Sequence, residues 1–123
     1  MKGYVTDIEK DTLANEDYRR VVFTGPQMQL VLMTLQPGEE IGRETHDDHD
    51  QFIRVEAGTG SVQLGRDTHT LADGSAIVIP AGVEHNVINT SATEPLRLYT
   101  LYSPPEHADG TVHATKQDEP AEH

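Results

Sequence analysis

Cysteine and tryptophan are absent from this chain of 123 residues. Without cysteine there is no disulfide framework and no thiolate metal site, so any bound metal must be held by nitrogen and oxygen. Basic residues are scarce, 9 Lys plus Arg against 21 Asp plus Glu, for a formal net charge of −12. A phosphate-backbone partner needs a basic footprint, which this composition lacks, so nucleic acid and anionic membrane surfaces are poor partners. Long apolar runs are missing too. No stretch approaches the ~20 apolar residues of a membrane span, and the start MKGYVTDIEK has none of the apolar core of a signal peptide. The expectation is a soluble cytoplasmic protein. Sustained helical periodicity is also absent, including at Asn15–Arg20, where apolar positions do not recur at a 3.6-residue spacing.

What remains is a pattern of short strands. The length gives one domain with enough chain for one core. Met28–Leu35 reads as a buried strand, stopped by Pro37-Gly38. Short runs then recur every eight to twelve residues between turn signals: Gln51–Glu56, Ser61–Leu64, Thr68–Leu71, Ala76–Ile79, His85–Asn89 and Leu96–Tyr102. This is an all-β sandwich or barrel over residues 28–102, preceded by an N-terminal arm, 1–27, with room for an edge strand. Residues 103–123 form a polar tail that starts at Pro104-Pro105, where pairing is blocked. Its first part is expected to cross the outside of the barrel and its end, past about Lys116, to fray. Met28, Met33 and Phe52 are assigned to the core.

Two stretches carry the chemistry. PGEEIGRETHDDHDQFIRVEAGTG, from Pro37 to Gly60, holds Glu44, His46, His49 and Gln51 around an acidic turn. GSAIVIPAGVEHNVIN, from Gly74 to Asn89, holds His85 just past a Pro-x-Gly turn. Glu44 and His46 are two apart and share a strand face, and Gln51 shares a face with Ile53 and Val55. One further imidazole, from His85, completes a set of two nitrogens and two oxygens for a divalent ion. His49 is the rival ligand, expected to face solvent from the turn. Asp47, Asp48 and Asp50 lack the spacing of a calcium loop and read as turn residues. Asn89 reads as a structural amide, His69 as a surface residue, and Gly58, Gly74 and Gly82 as positive-φ turn positions. Arg54, Tyr99 and Tyr102 are candidates for a pocket lining or a dimer face. Glu44, Tyr102, His107 and His113 are the available acid–base groups.

At these residues the chain resembles the cupin superfamily, in particular small single-domain bacterial members. One cupin motif is Gly, five residues, Pro-x-Gly, two residues, His, three residues, Asn, and Gly74, Pro80, Gly82, His85 and Asn89 meet it in full. The other is Gly, five residues, His-x-His, three or four residues, Glu, six residues, Gly. Gly38, His46 and Gly58 meet its spacing, with Glu44 at the usual first His and Gln51 at the usual Glu. The resemblance spans Leu30 to Tyr102 and implies a conical antiparallel jelly-roll barrel, a double-stranded β-helix with little helix, often homodimeric. It implies one divalent metal near the open mouth, here on Glu44, His46, Gln51 and His85. The exchange of an imidazole and a carboxylate for Glu44 and Gln51 makes the set harder and favours manganese or iron, with zinc or nickel also able to bind. The implied function is a metal-dependent enzyme on a small carbonyl or sugar-like molecule, an isomerase, lyase or dioxygenase. The alternative is a non-catalytic module that binds a small ligand or metal.

Overall fold

The computed structural model describes residues 2–120. In chain order the elements are α1 (Ile8–Ala14), β1 (Arg19–Thr24), β2 (Gln29–Leu35), β3 (Asp50–Ala57), β4 (Gly60–Leu64), β5 (Asp67–Leu71), β6 (Ala76–Ile79), β7 (His85–Asn89), β8 (Leu96–Ser103) and β9 (Val112–His113), then a short 3-10 turn, Lys116–Asp118. Two antiparallel sheets face each other, one ordered β6-β3-β8-β2-β1-β9 and the other β5-β4-β7. The extended segment around Glu40 and Glu44 lies beside β7, bridged to Ile88 and His85. The chain is therefore an all-β jelly-roll barrel, as its strand spacing implied.

β2 and β8 are central because their neighbours cover them on both edges. Val31, Met33 and Leu35 turn inward, while α1 lies against the other face of β2, β3 and β8. That helix was not foreseen. Only Thr12 among its residues is buried, so it carries no apolar stripe for a period to reveal. What starts it is a cap: the Asp7 side chain accepts from the Lys10 N–H at 3.2 Å.

The inward faces change character along the strands. At one end Leu35, Met33 and Val31 of β2, Leu96 and Leu98 of β8 and Val55 and Ile53 of β3 form a dry core. At the other end Gln29, Tyr102 and Gln51 pair in one row across β2, β8 and β3, all buried. His85 opens β7, one alternation beyond the apolar Val87. Hydrophobic burial closes one end of the barrel, and hydrogen-bonding groups line the other.

Two core assignments need correction. Met28 is 52 % exposed, because β2 begins one residue later and leaves it in the turn. Phe52 is half-buried on the outer face, 6.4 Å from the Tyr99 ring. Arg54 lies opposite Tyr99 on that same outer face, so neither lines the mouth.

The tail returns to the barrel. β9 pairs with β1, Tyr18 N–H donates to Ala114 O at 3.1 Å, and Val21 N–H donates to Thr111 O at 2.9 Å. Lys116 Nζ reaches the Glu40 carbonyl of the facing sheet. Glu119 pairs with Arg19 at 2.6 Å, both side chains buried, so the tail is held well past Lys116. The expectation was of fraying past about Lys116; its last part, 121–123, lies outside the described residues.

Candidate metal centre

Backbone pairing explains why the distant motifs meet. Glu44 and His85 exchange two hydrogen bonds of 2.9 Å each, Glu44 N–H to His85 O and His85 N–H to Glu44 O. The Gly82 N–H donates to His46 O at 2.8 Å, fixing the Pro-x-Gly turn against the acidic turn. Gly82 takes a φ of +87° there, which a residue with a Cβ rarely adopts.

His46 is the hub. Its Nε2 lies 3.0 Å from Glu44 Oε2, and its Nδ1 faces Glu106 Oε2 at 3.8 Å. Its ring stacks on His49 with centroids 4.5 Å apart and stands 5.5 Å from the His85 ring. His85 Nδ1 is 3.0 Å from Val83 O, which makes Nδ1 the protonated nitrogen and leaves Nε2 with a lone pair. Gln51 donates from Nε2 to Thr100 Oγ1 at 3.0 Å, and its Oε1 is buried without a hydrogen bond. Thus Glu44, His46 and His85 come together, with Gln51 on the adjoining wall.

His49 does not face solvent as its turn position suggested. It is 6 % exposed, and its Nε2 lies 2.9 Å from Glu106 Oε2 while Asp48 sits 2.9 Å from Nδ1. The contact with Glu106 is close yet lacks hydrogen-bond alignment. Two donors on one ion at bonds of about 2.1 Å stand about 3 Å apart when they are neighbours in the coordination shell, so this spacing fits shared ligation. The ligand atoms of His46, His49 and Glu106 lie within 4.8 Å of one another, a group able to hold a metal ion.

Glu106 was missed by sequence reading, as was the device that delivers it. Gln29, fully buried, accepts from the Glu106 and His107 N–H groups at 3.2 and 2.9 Å and donates to the His107 carbonyl at 2.7 Å. The Asn89 amide bonds Leu35 O, Glu94 O and Ser91 N–H, as a structural amide should. Among the described residues Asp50 is not bonded within its own turn: it opens β3 and accepts from the Ala81 N–H at 2.9 Å, tying the strand to the Pro-x-Gly turn.

Electrostatics separate the acid–base candidates. Burial alone would raise the Glu44 carboxyl, but His46, Arg19 and His85 outweigh it and hold it low. The Glu44 carboxylate lifts His46 above the ordinary imidazole value against its burial. Burial raises the Tyr102 phenol above its ordinary range, with Arg19 working the other way. Burial and then Arg19 lower His107 to about 4, so its ring is neutral at pH 7; it stands edge-on to Tyr102 with centroids 5.2 Å apart. His113 sits away from the His46 cluster, 3.3 Å from the Arg19 guanidinium.

The barrel and the histidine cluster at its mouth define a class: residues 31–102 match the cupin domain family, and the chain is a cupin. An uncharacterised protein of Acanthamoeba polyphaga mimivirus is 50 % identical over 112 residues, covering 89 % of this chain and 70 % of that protein. The uncharacterised YrkC of Bacillus subtilis is 47 % identical over 123 residues, covering 95 % of this chain and 66 % of that one. The crystal structure of BH2720 from Bacillus halodurans superposes with a TM-score of 0.92 at 45 % identity, over 95 % of this chain and 92 % of that one. Among the described residues no helix is long and apolar enough to cross a membrane.

Proposed function

We propose that this cupin binds one divalent metal ion at His46 and uses it to act on a small polar carbonyl or hydroxyl compound. The observation that carries the proposal is the convergence of His46, His49 and Glu106 within 4.8 Å. Glu44 at 3.0 Å from His46 is a further donor. Two carboxylates beside two imidazoles make a hard donor set that suits manganese or iron, with zinc or nickel also able to bind. A bound ion of this kind polarises an oxygen of the compound beside it. The chain's own groups complete the chemistry: neutral His107 is placed to take a proton, and the protonated Tyr102 phenol to donate a hydrogen bond. Proton transfer of this kind suits isomerase or lyase chemistry, whereas a dioxygenase would need a redox-active metal such as iron or manganese. The setting proposed is cytoplasmic.

A second ligand set is favoured by a separate observation. The two nitrogens of His46 look in different directions, Nε2 to Glu44 and Nδ1 to Glu106. On the Glu44 side, Glu44, His46, Gln51 and His85 form the set the motifs imply, and Gln51 Oε1 and His85 Nε2 are both free to ligate. Metal analysis after equilibration with Mn²⁺ tells the sets apart. His46→Ala should abolish uptake in either case. Loss in His49→Ala and Glu106→Gln assigns the first set, and loss in His85→Ala and Gln51→Ala the second. Full uptake by His46→Ala would end the metal reading.

A non-catalytic binding module is the rival, and the seating of Glu106 and His107 over the mouth speaks for it. Metal-dependent turnover of small keto compounds, lost in His107→Gln with metal content unchanged, decides for the enzyme. The proposal includes a homodimer, supported by an apolar surface hollow of about 250 Å³ lined by Tyr4, Phe23, Met28, Leu30 and Leu101. Light scattering should return twice 13.6 kDa; a monomer mass would remove it.

A further inference from the structure

Arg19 is the one Lys or Arg side chain that is buried among the described residues, at 3 % exposure. Taking a cation out of water is costly unless its charge and its donors are answered. Its charge is answered by Glu119, but only one of its three nitrogens is used among the described residues. Nη1 serves Glu119 at 2.6 Å and approaches His113 Nδ1 at 3.3 Å. Nε is buried with no partner, and Nη2 makes no hydrogen bond among the described residues. The free groups are the side edge of the guanidinium, the two parallel N–H vectors that fit a carboxylate. The neighbouring residue carries a second orphaned group: the Tyr18 hydroxyl is buried and unpartnered, on a ring that the Arg19 guanidinium overlies with Cζ 5.2 Å from its centroid. Both Arg19 Nε–H and Tyr18 O–H can donate, so they call for a group with acceptor oxygens.

The Arg19 side chain is buried opposite the inward-facing Met33 of β2, within the barrel interior. The guanidinium acts electrostatically on Glu44, Tyr102 and His107. A tail anchor alone would need Nη1 and nothing more. It would not explain why Nε is buried without a partner while the Tyr18 hydroxyl is buried without one too.

We propose that the Nε–Nη2 edge of Arg19, with the Tyr18 hydroxyl, is a carboxylate-binding subsite, so that the compound handled at His46 is a small 2-oxo or 2-hydroxy acid rather than an uncharged sugar. This deepens the metal-dependent reading above and rests on it for the reacting end of the ligand only.

The test is calorimetric titration of the full chain, loaded with Mn²⁺, with pyruvate and with hydroxyacetone, which keeps the ketone but replaces the carboxylate with a hydroxymethyl group. The wild type should bind pyruvate at least tenfold more tightly. Arg19→Gln should erase that preference with Mn²⁺ uptake unchanged. Arg19→Lys, which keeps the charge facing Glu119 but replaces the fork with a point donor, should weaken pyruvate at least tenfold even if Arg19→Gln fails to fold. Glu119→Gln should keep the preference, since it disturbs the tail contact and spares the free edge. Equal affinities in the wild type, a preference that survives Arg19→Lys, or an equal loss in Glu119→Gln would each overturn the subsite. If the wild type takes up no Mn²⁺, the metal reading falls by itself. The same titrations on metal-free protein then decide the subsite, with no pyruvate binding counting against it and Arg19-dependent binding for it.

Discussion

The Tyr18 and Tyr102 phenols are each pushed above the ordinary value of 10.0, mainly by burial. A raised folded-state pKa means that the native protein holds these protons more tightly than the unfolded chain does. The resulting stability is full below pH 10 and is lost as pH climbs through the raised values. Phenolate absorbance should therefore show a late fraction that rises only with unfolding, and that shrinks in Tyr18→Phe and Tyr102→Phe. A titration finished by pH 11 would refute it. Gly60 makes a steric prediction: a Cβ there would sit 2.5 Å from the Ile88 carbonyl oxygen. Gly60→Ala should cost about 1–3 kcal/mol in urea unfolding, whereas Gly3→Ala, with nothing within 4 Å, should be silent. At this scale the sequence was readable where strand alternation applied, as for Gln51, which shares the inward face of Ile53 and Val55. It failed at His49, because a turn has no alternation and three flanking aspartates made the segment look solvated.

Among the elements, the tail is the one that composition misjudged. HADGTVHATKQDEP looks too polar to pack, yet it is held by backbone bonds to β1 and by Gln29, whose amide grips the backbone of Glu106 and His107. Those contacts are between chain segments about 80 to 100 residues apart, which no local pattern encodes. Gln29→Met removes the grip without a large change in volume. Hydrogen exchange should then quicken through 104–113 while β2, β3 and β8 keep their protection. If Glu106 ligates, Mn²⁺ affinity should fall about tenfold. Unchanged exchange in the tail would show that β9 pairing suffices. The six-residue β1 was foreseen only as room for an edge strand in the arm, and the two-residue β9 went unread, for a related reason: Arg19 and His113 occupy positions where a buried apolar residue would have announced a strand.

For the whole molecule, the barrel was legible because its turns are punctuated by Gly and Pro and its strands alternate. The mouth was legible in part because β3 and β7 begin their inward faces with the polar Gln51 and His85. Metal binding should stabilise this architecture by mass action. At a free Mn²⁺ concentration one hundred times Kd the gain is about 2.7 kcal/mol, a rise in Tm on the order of 10 °C; a Tm blind to Mn²⁺ and to chelator would count against a folded-state site. The pairing of Arg19 with Glu119 has a further consequence for biosynthesis. A ribosome delivers the chain from its N-terminus, so the guanidinium waits without its counter-charge until one hundred more residues have emerged. Glu106 likewise arrives only after the eighth strand. Until the C-terminal segment docks, the interior holds the Arg19 cation without its counter-charge and the mouth lacks Glu106, so the electrical completion of the barrel is left to the end of the described chain.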